Sequence, residues 1–63
     1  MNQSEVRISK GDIMQFGEYG VAYEVLESIE TNNVLELVKI RILESNIVDE
    51  CRVLDIVESK KLA

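Results

Sequence analysis

Between Tyr23 and Val53 apolar and charged residues alternate with a period of two. The run passes through Tyr23-Glu24-Val25, turns at Asn32-Asn33, returns through Val38-Lys39-Ile40-Arg41-Ile42, turns again at Ser45-Asn46 and leaves through Asp49-Glu50-Cys51-Arg52-Val53. Side chains alternate across a strand, so this period specifies antiparallel strands with one buried face. It also specifies which residues share a face.

The parity can be carried through both turns. With Asn32-Asn33 as a two-residue loop, Thr31 faces Val34, Val25 faces Ile40, Tyr23 faces Ile42 and Glu24 faces Arg41. With Ser45-Asn46 as a second such loop, Ile40 faces Cys51, Val38 faces Val53, Lys39 faces Arg52 and Arg41 faces Glu50. A row Glu24–Arg41–Glu50 then crosses three strands, contributing about 0.2–1 kcal/mol per exposed pair. A one-residue slip in either hairpin would set charges against apolar residues.

The remaining elements follow from turn chemistry. The chain has no proline and three glycines, so Asn, Asp, Ser and Gly must make its turns. Lys10-Gly11-Asp12 reads as a turn into a strand over Ile13–Phe16, and Gly17-Glu18-Tyr19-Gly20 as a tight connection. Further strands are expected over Val21–Glu30, Val34–Leu43 and Ile47–Val53. A short helical turn near Leu54-Asp55 leads to a last strand over Ile56–Lys60. The competing reading makes 47–58 a helix, because Ile47, Val48, Cys51, Leu54 and Val57 fall near helical spacing. Residues 1–8 and 60–63 read as ends that fray.

Size bounds the function. Sixty-three residues make a single domain, 1–63, and so short a chain buries only about 60% of the surface its unfolded form exposes. Val, Ile and Leu supply 21 of the 63 residues, more than one small core can hold. That surplus points to a homo-oligomer or a protein partner. The single cysteine, Cys51, allows no internal disulfide, and with no histidine there is no zinc ligand set and no cofactor or metal to expect. Met1 to Lys10 lacks a signal-peptide core and no apolar run reaches membrane-span length, so the expected location is cytoplasmic, away from the membrane.

Five to six short strands entered through Lys10-Gly11-Asp12-Ile13, then Tyr23-Glu24-Val25-Leu26, Val38-Lys39-Ile40 and Val53-Leu54-Asp55-Ile56-Val57, resemble the small SH3-like barrels, including Tudor-like and KOW-like modules. The resemblance spans Ser9 to Glu58. It implies an all-β, five- to six-stranded SH3-like barrel, an antiparallel meander with the helical turn near Leu54 before the final strand. Similar barrels occur in short phage and mobile-element proteins. The chain departs from ligand-binding members in its few aromatics, Phe16, Tyr19 and Tyr23, too few for a proline-rich groove or a methyl-lysine cage.

Chemistry is correspondingly restricted. Without histidine there is no common general base, so an enzyme is not expected. Cys51 falls on the core face, where a thiol is inert. Asp49 and Glu50 point to opposite faces of a strand and do not converge. Two binding surfaces remain. Leu26, Leu35 and Leu37 fall on the charged face; either the second strand bends and the barrel closes around them or, with the Phe16–Tyr19 loop, they form a protein-binding surface. Alternatively Lys39, Arg41 and Arg52 form a basic patch beside Tyr19 that would contact nucleic acid, against a net charge of −5.

Overall fold

The computed structural model describes residues 5–63. In chain order the elements are β1 (Val6–Ile8), β2 (Ile13–Gln15), β3 (Ala22–Val25), β4 (Ile29–Thr31), β5 (Leu37–Ile42), β6 (Val48–Arg52), α1 (Val53–Val57) and β7 (Lys60–Lys61). The fold is mostly β with one short helix. Five strands form an antiparallel sheet in the order β6-β5-β3-β2-β7, and β1 pairs with β4 in a separate two-stranded ribbon. No ladder joins β6 to β7 among the described residues, so the sheet is not closed into a barrel.

The β3–β5 register is the one the alternation requires: Tyr23 faces Ile42, Glu24 faces Arg41 and Val25 faces Ile40. The loop that was to enforce it does not. Thr31 faces Val6 in β1 instead of Val34, and the expected strand over Val21–Glu30 is split at 26–28. Side chains take over the ladder there. The Glu27 carboxylate accepts the Lys39 N–H at 3.1 Å, and Ser28 Oγ accepts the Lys10 N–H at 2.9 Å. The chain can therefore leave the sheet without stranding backbone groups. Asn32-Asn33 lies in a turn bonded by side chains. Thr31 Oγ1 accepts the Asn33 N–H at 2.9 Å and Asn33 Oδ1 accepts the Leu35 N–H at 3.1 Å.

In the β5–β6 hairpin the parity holds but the register moves by two residues. Val38 faces Cys51, Ile40 faces Asp49, Lys39 faces Glu50, Arg41 faces Val48 and Leu37 faces Arg52. The pairings of Ile40 with Cys51, Val38 with Val53, Lys39 with Arg52 and Arg41 with Glu50 are thus corrected. The cause is the loop. Ile42 N–H donates to the Ile47 carbonyl at 2.8 Å and Asn46 N–H to the Ile42 carbonyl at 2.7 Å, with Asn46 left-handed at φ 63°. Asn tolerates that conformation, and a four-residue loop results where two residues were expected.

The segment 47–58 is divided between both readings of it: a strand to Arg52, then a helix from Val53. The Arg52–Asp55 contact marks the change, with the Asp55 carboxylate accepting the Arg52 backbone N–H at 3.1 Å. After α1 the chain returns beside β2, where Gln15 faces Lys60 and Met14 faces Lys61. The C-terminal residues read as frayed carry bonds: Ile13 N–H donates to the Ala63 carbonyl at 2.9 Å and Leu62 N–H to the Ile13 carbonyl at 2.8 Å. At the other end, Val6–Ile8 forms β1 with Ile8 buried; residues 1–4 lie outside the described residues.

The core sits between the inner face of the large sheet, the β1–β4 ribbon and α1. It comprises Ile8, Met14, Tyr23, Val25, Val38, Ile40, Val53 and Ile56, with Val6, Phe16, Ile29, Ile42 and Cys51 at its margin. Each fully buried aliphatic side chain here contributes about 1.5–3 kcal/mol relative to exposure.

Candidate interaction surface

The outer face of the large sheet carries the residues singled out from the sequence. On β5 these are Leu37, Lys39 and Arg41; on β6 their neighbours are Arg52, Glu50 and Val48. Leu26 belongs to the same face. Its N–H donates to the Lys39 carbonyl at 2.9 Å, continuing the β3–β5 ladder one residue past β3.

The apolar end of this face is held on a pinned backbone. Leu35 is 62% exposed, Leu37 55% and Val34 38%. Between them, the Val34 carbonyl accepts the Leu54 N–H at 2.8 Å and the Glu36 carbonyl accepts the Val53 N–H at 2.8 Å. Two N–H groups at the start of α1, which have no partner within the helix, are thereby satisfied by the segment that presents the leucines. Leu26 is half-buried, so Leu35 and Leu37 supply most of the exposed area.

The Phe16–Tyr19 pair separates. Phe16 stacks on Tyr23 with ring centroids 4.3 Å apart and an interplanar angle of 25°, so it closes the end of the core. Tyr19 is 96% exposed at the tip of the next turn. The turn is clamped from inside: Gln15 Nε2 donates to the Gly20 carbonyl at 3.0 Å, and Phe16 N–H to the Val21 carbonyl at 3.1 Å.

The basic residues share the outer face, and two of them are paired with carboxylates. Arg41 makes an ion pair with Glu24 and donates through Nη1 to Asn46 Oδ1 at 3.0 Å. Its Nε is buried without a partner among the described residues. Arg52 is turned toward Asp55, with Nη2 to Oδ1 at 3.0 Å and Nε to Oδ2 at 3.2 Å. That pairing pushes the Asp55 carboxyl below its usual range and the Arg52 guanidinium above its own. Lys39 faces Glu50.

A second apolar cluster, not singled out from the sequence, lies at the far end of the face. Leu43, Ile47 and Val48 are all exposed around the β5–β6 turn. The signal was present in the parity, which sets Val48 on the same face as Glu50 and Arg52 at either loop length.

Among the described residues, reactive groups do not converge. Cys51 is half-buried opposite Val38, and burial, reinforced by the Asp55 and Asp49 charges, pushes its thiol up to about 11. Among the described residues no group of His, Cys, Asp and Glu is placed to hold a metal ion. A shallow cleft of about 470 Å³ over the β1–β4 ribbon is lined by Arg7, Ser9, Ser28 and Glu30 with Ile8 and Ile29. Its charged pair is already closed, with Arg7 Nε 2.7 Å from a Glu30 oxygen.

A family model matches residues 2–61, nearly the whole of this β-rich unit. The chain belongs to the DUF5397 family, a family of unknown function. No curated protein and no solved structure matches it. The description of DUF5397 assigns no activity to its members. No helix among the described residues is long and apolar enough to cross a membrane.

Proposed function

We propose that this chain is a non-enzymatic interaction module, working in the cytoplasm as a homo-oligomer or on another protein, and docking through the leucine end of its outer face. The observation that carries this reading is the exposure of Leu35 and Leu37 on backbone fixed by the Val53 and Leu54 N–H groups. A pinned apolar surface has lost its conformational entropy in advance, so more of its burial energy remains for binding. Leu26 extends the contact, and Tyr19 is a separate exposed anchor in the β2–β3 turn, at the opposite end of β3 from Leu26.

The order of elements supports an SH3-like relationship. A meander β2-β3-β5-β6 is followed by a helical turn, and the last strand then returns beside the first strand of the meander. The nucleic-acid alternative rests on Lys39 and Tyr19, because Arg41 and Arg52 are occupied by Glu24 and Asp55.

Leu37→Asp is the test. The module reading requires that the variant keep its β-sheet circular dichroism and lose assembly mass in light scattering, or lose capture of the partner. An unchanged mass together with unchanged binding removes this face. Binding of an oligonucleotide that weakens steeply with added salt would favour the alternative instead.

A further inference from the structure

The large sheet ends on β6, and that edge is guarded. Ladder bonds between β5 and β6 fall on alternate pairs, and the bonds of Ile42 with Ile47 and of Val53 with Glu36 set the phase. Val48, Glu50 and Arg52 therefore direct their N–H and carbonyl groups away from β5. Two of these three outward N–H groups are capped by carboxylates: Asp49 Oδ1 accepts from Glu50 at 2.8 Å, and Asp55 Oδ2 accepts from Arg52 at 3.1 Å. An open edge is a template for another strand, and a side-chain cap competes with that strand for the same donor. The opposite edge, β7, is two residues long and both are lysines. The five-residue β6 is the longest edge strand, and the chain contains no proline to interrupt it.

We propose that β6 is a gated docking edge whose occupant is the β6 of a second copy, paired antiparallel about a two-fold axis through Cys51. Charge selects the register. A two-fold through Glu50 sets Glu50 against Glu50 of the partner subunit, and one through Asp49 sets two aspartates face to face; both are repulsive. Centred on Cys51, the pairing places Glu50 against the partner's Arg52 and Arg52 against the partner's Glu50. It uses the two outward N–H groups that the carboxylates now hold. The two Cys51 residues then form a non-hydrogen-bonded pair with Cα atoms about 4.5 Å apart, a spacing a disulfide can bridge. Asp49 and Asp55 set the threshold for this association, because each pairing bond must displace one of them.

The test is Asp49→Ala, which frees the Glu50 N–H and leaves the α1 cap intact; the double variant with Asp55→Ala opens both positions. Light scattering across a concentration series, with mild oxidation as a trap, should show the single variant dimerising about tenfold more tightly than the native chain. The trapped species should be a Cys51–Cys51 disulfide dimer. Adding Glu50→Lys, which sets like charges opposite each other, should abolish it. Outer-face association through Leu37 leaves the inner-face Cys51 side chains apart, so the disulfide reads β6 pairing alone. A folded Asp49→Ala variant whose dimerisation is no tighter than native, or one whose dimer is left intact by Glu50→Lys, overturns the proposal. If the double variant loses its helix, the single variant decides.

Discussion

The Tyr23 hydroxyl donates to Ser59 Oγ at 2.6 Å, and Ser59 Oγ in turn donates to the Asp55 carbonyl oxygen at 2.6 Å. This relay ties the centre of the sheet to the far side of α1. Burial, partly offset by the Ser59 bond, pushes the Tyr23 hydroxyl above its ordinary value of 10.0. The two partners should respond unequally to removal. Ser59→Ala strands the Tyr23 hydroxyl and should cost about 1–3 kcal/mol, whereas Tyr23→Phe leaves Ser59 bonded to Asp55 and should cost about 0.5–1.5 kcal/mol. Urea midpoints at constant m-value check the order.

Cys51 should be protected while the chain is folded. With its thiol raised from 9.0 to about 11, it is protonated at neutral pH and should alkylate far more slowly than after denaturation. The linkage has a definite sign. The unfolded thiol ionises first, so the contribution is complete below pH 9.0 and is lost as pH rises toward about 11. Cys51→Ala should flatten that alkaline loss in a melting-temperature profile.

Acid acts through Asp55. Its carboxyl is depressed by the hydrogen bonds from the Arg52 side chain and backbone. A depressed carboxyl stabilises the fold above its unfolded pKa, and this contribution disappears as pH falls through the lower, folded value. Asp55→Asn should reduce helix content at neutral pH and remove this part of the acid transition. Circular dichroism at both pH extremes measures it.

Gly20 is required by contact with its neighbour. A Cβ at this position would lie 1.8 Å from the Phe16 carbonyl oxygen, within the turn that the Phe16–Val21 bond closes. Gly20→Ala must displace backbone and should cost about 1–3 kcal/mol. At Gly17 a Cβ meets open space, so Gly17→Ala bears only the strain of its φ of +64° and should cost less. Thermal melts of the two variants test the ranking.

How much was legible in the residues can be followed strand by strand. Alternation determined the faces, which is why Tyr23, Val25, Val38 and Ile40 are buried and why Glu24 meets Arg41. Parity is a local property of an extended chain, and it survived a wrong loop at Asn32-Asn33 and a two-residue shift at Ser45-Asn46. The helical turn expected near Leu54-Asp55 was legible as well, but it runs to Val57, and the last strand expected over Ile56–Lys60 is confined to Lys60–Lys61.

What the chain pairs with over long range was decided elsewhere. Val6–Ile8 became a strand because Ile29–Thr31 was free to meet it, and that freedom came from Glu27 and Ser28 taking over the ladder. The β5–β6 register followed the left-handed Asn46, whose four-residue loop keeps the parity of a two-residue loop and moves every partner by two. Arg52 reached Asp55 because the backbone turned helical at the next residue. A period of two determines which face a side chain takes. Which neighbour it meets there depends on loop length and on competing hydrogen bonds, and those were decided only by the tertiary structure.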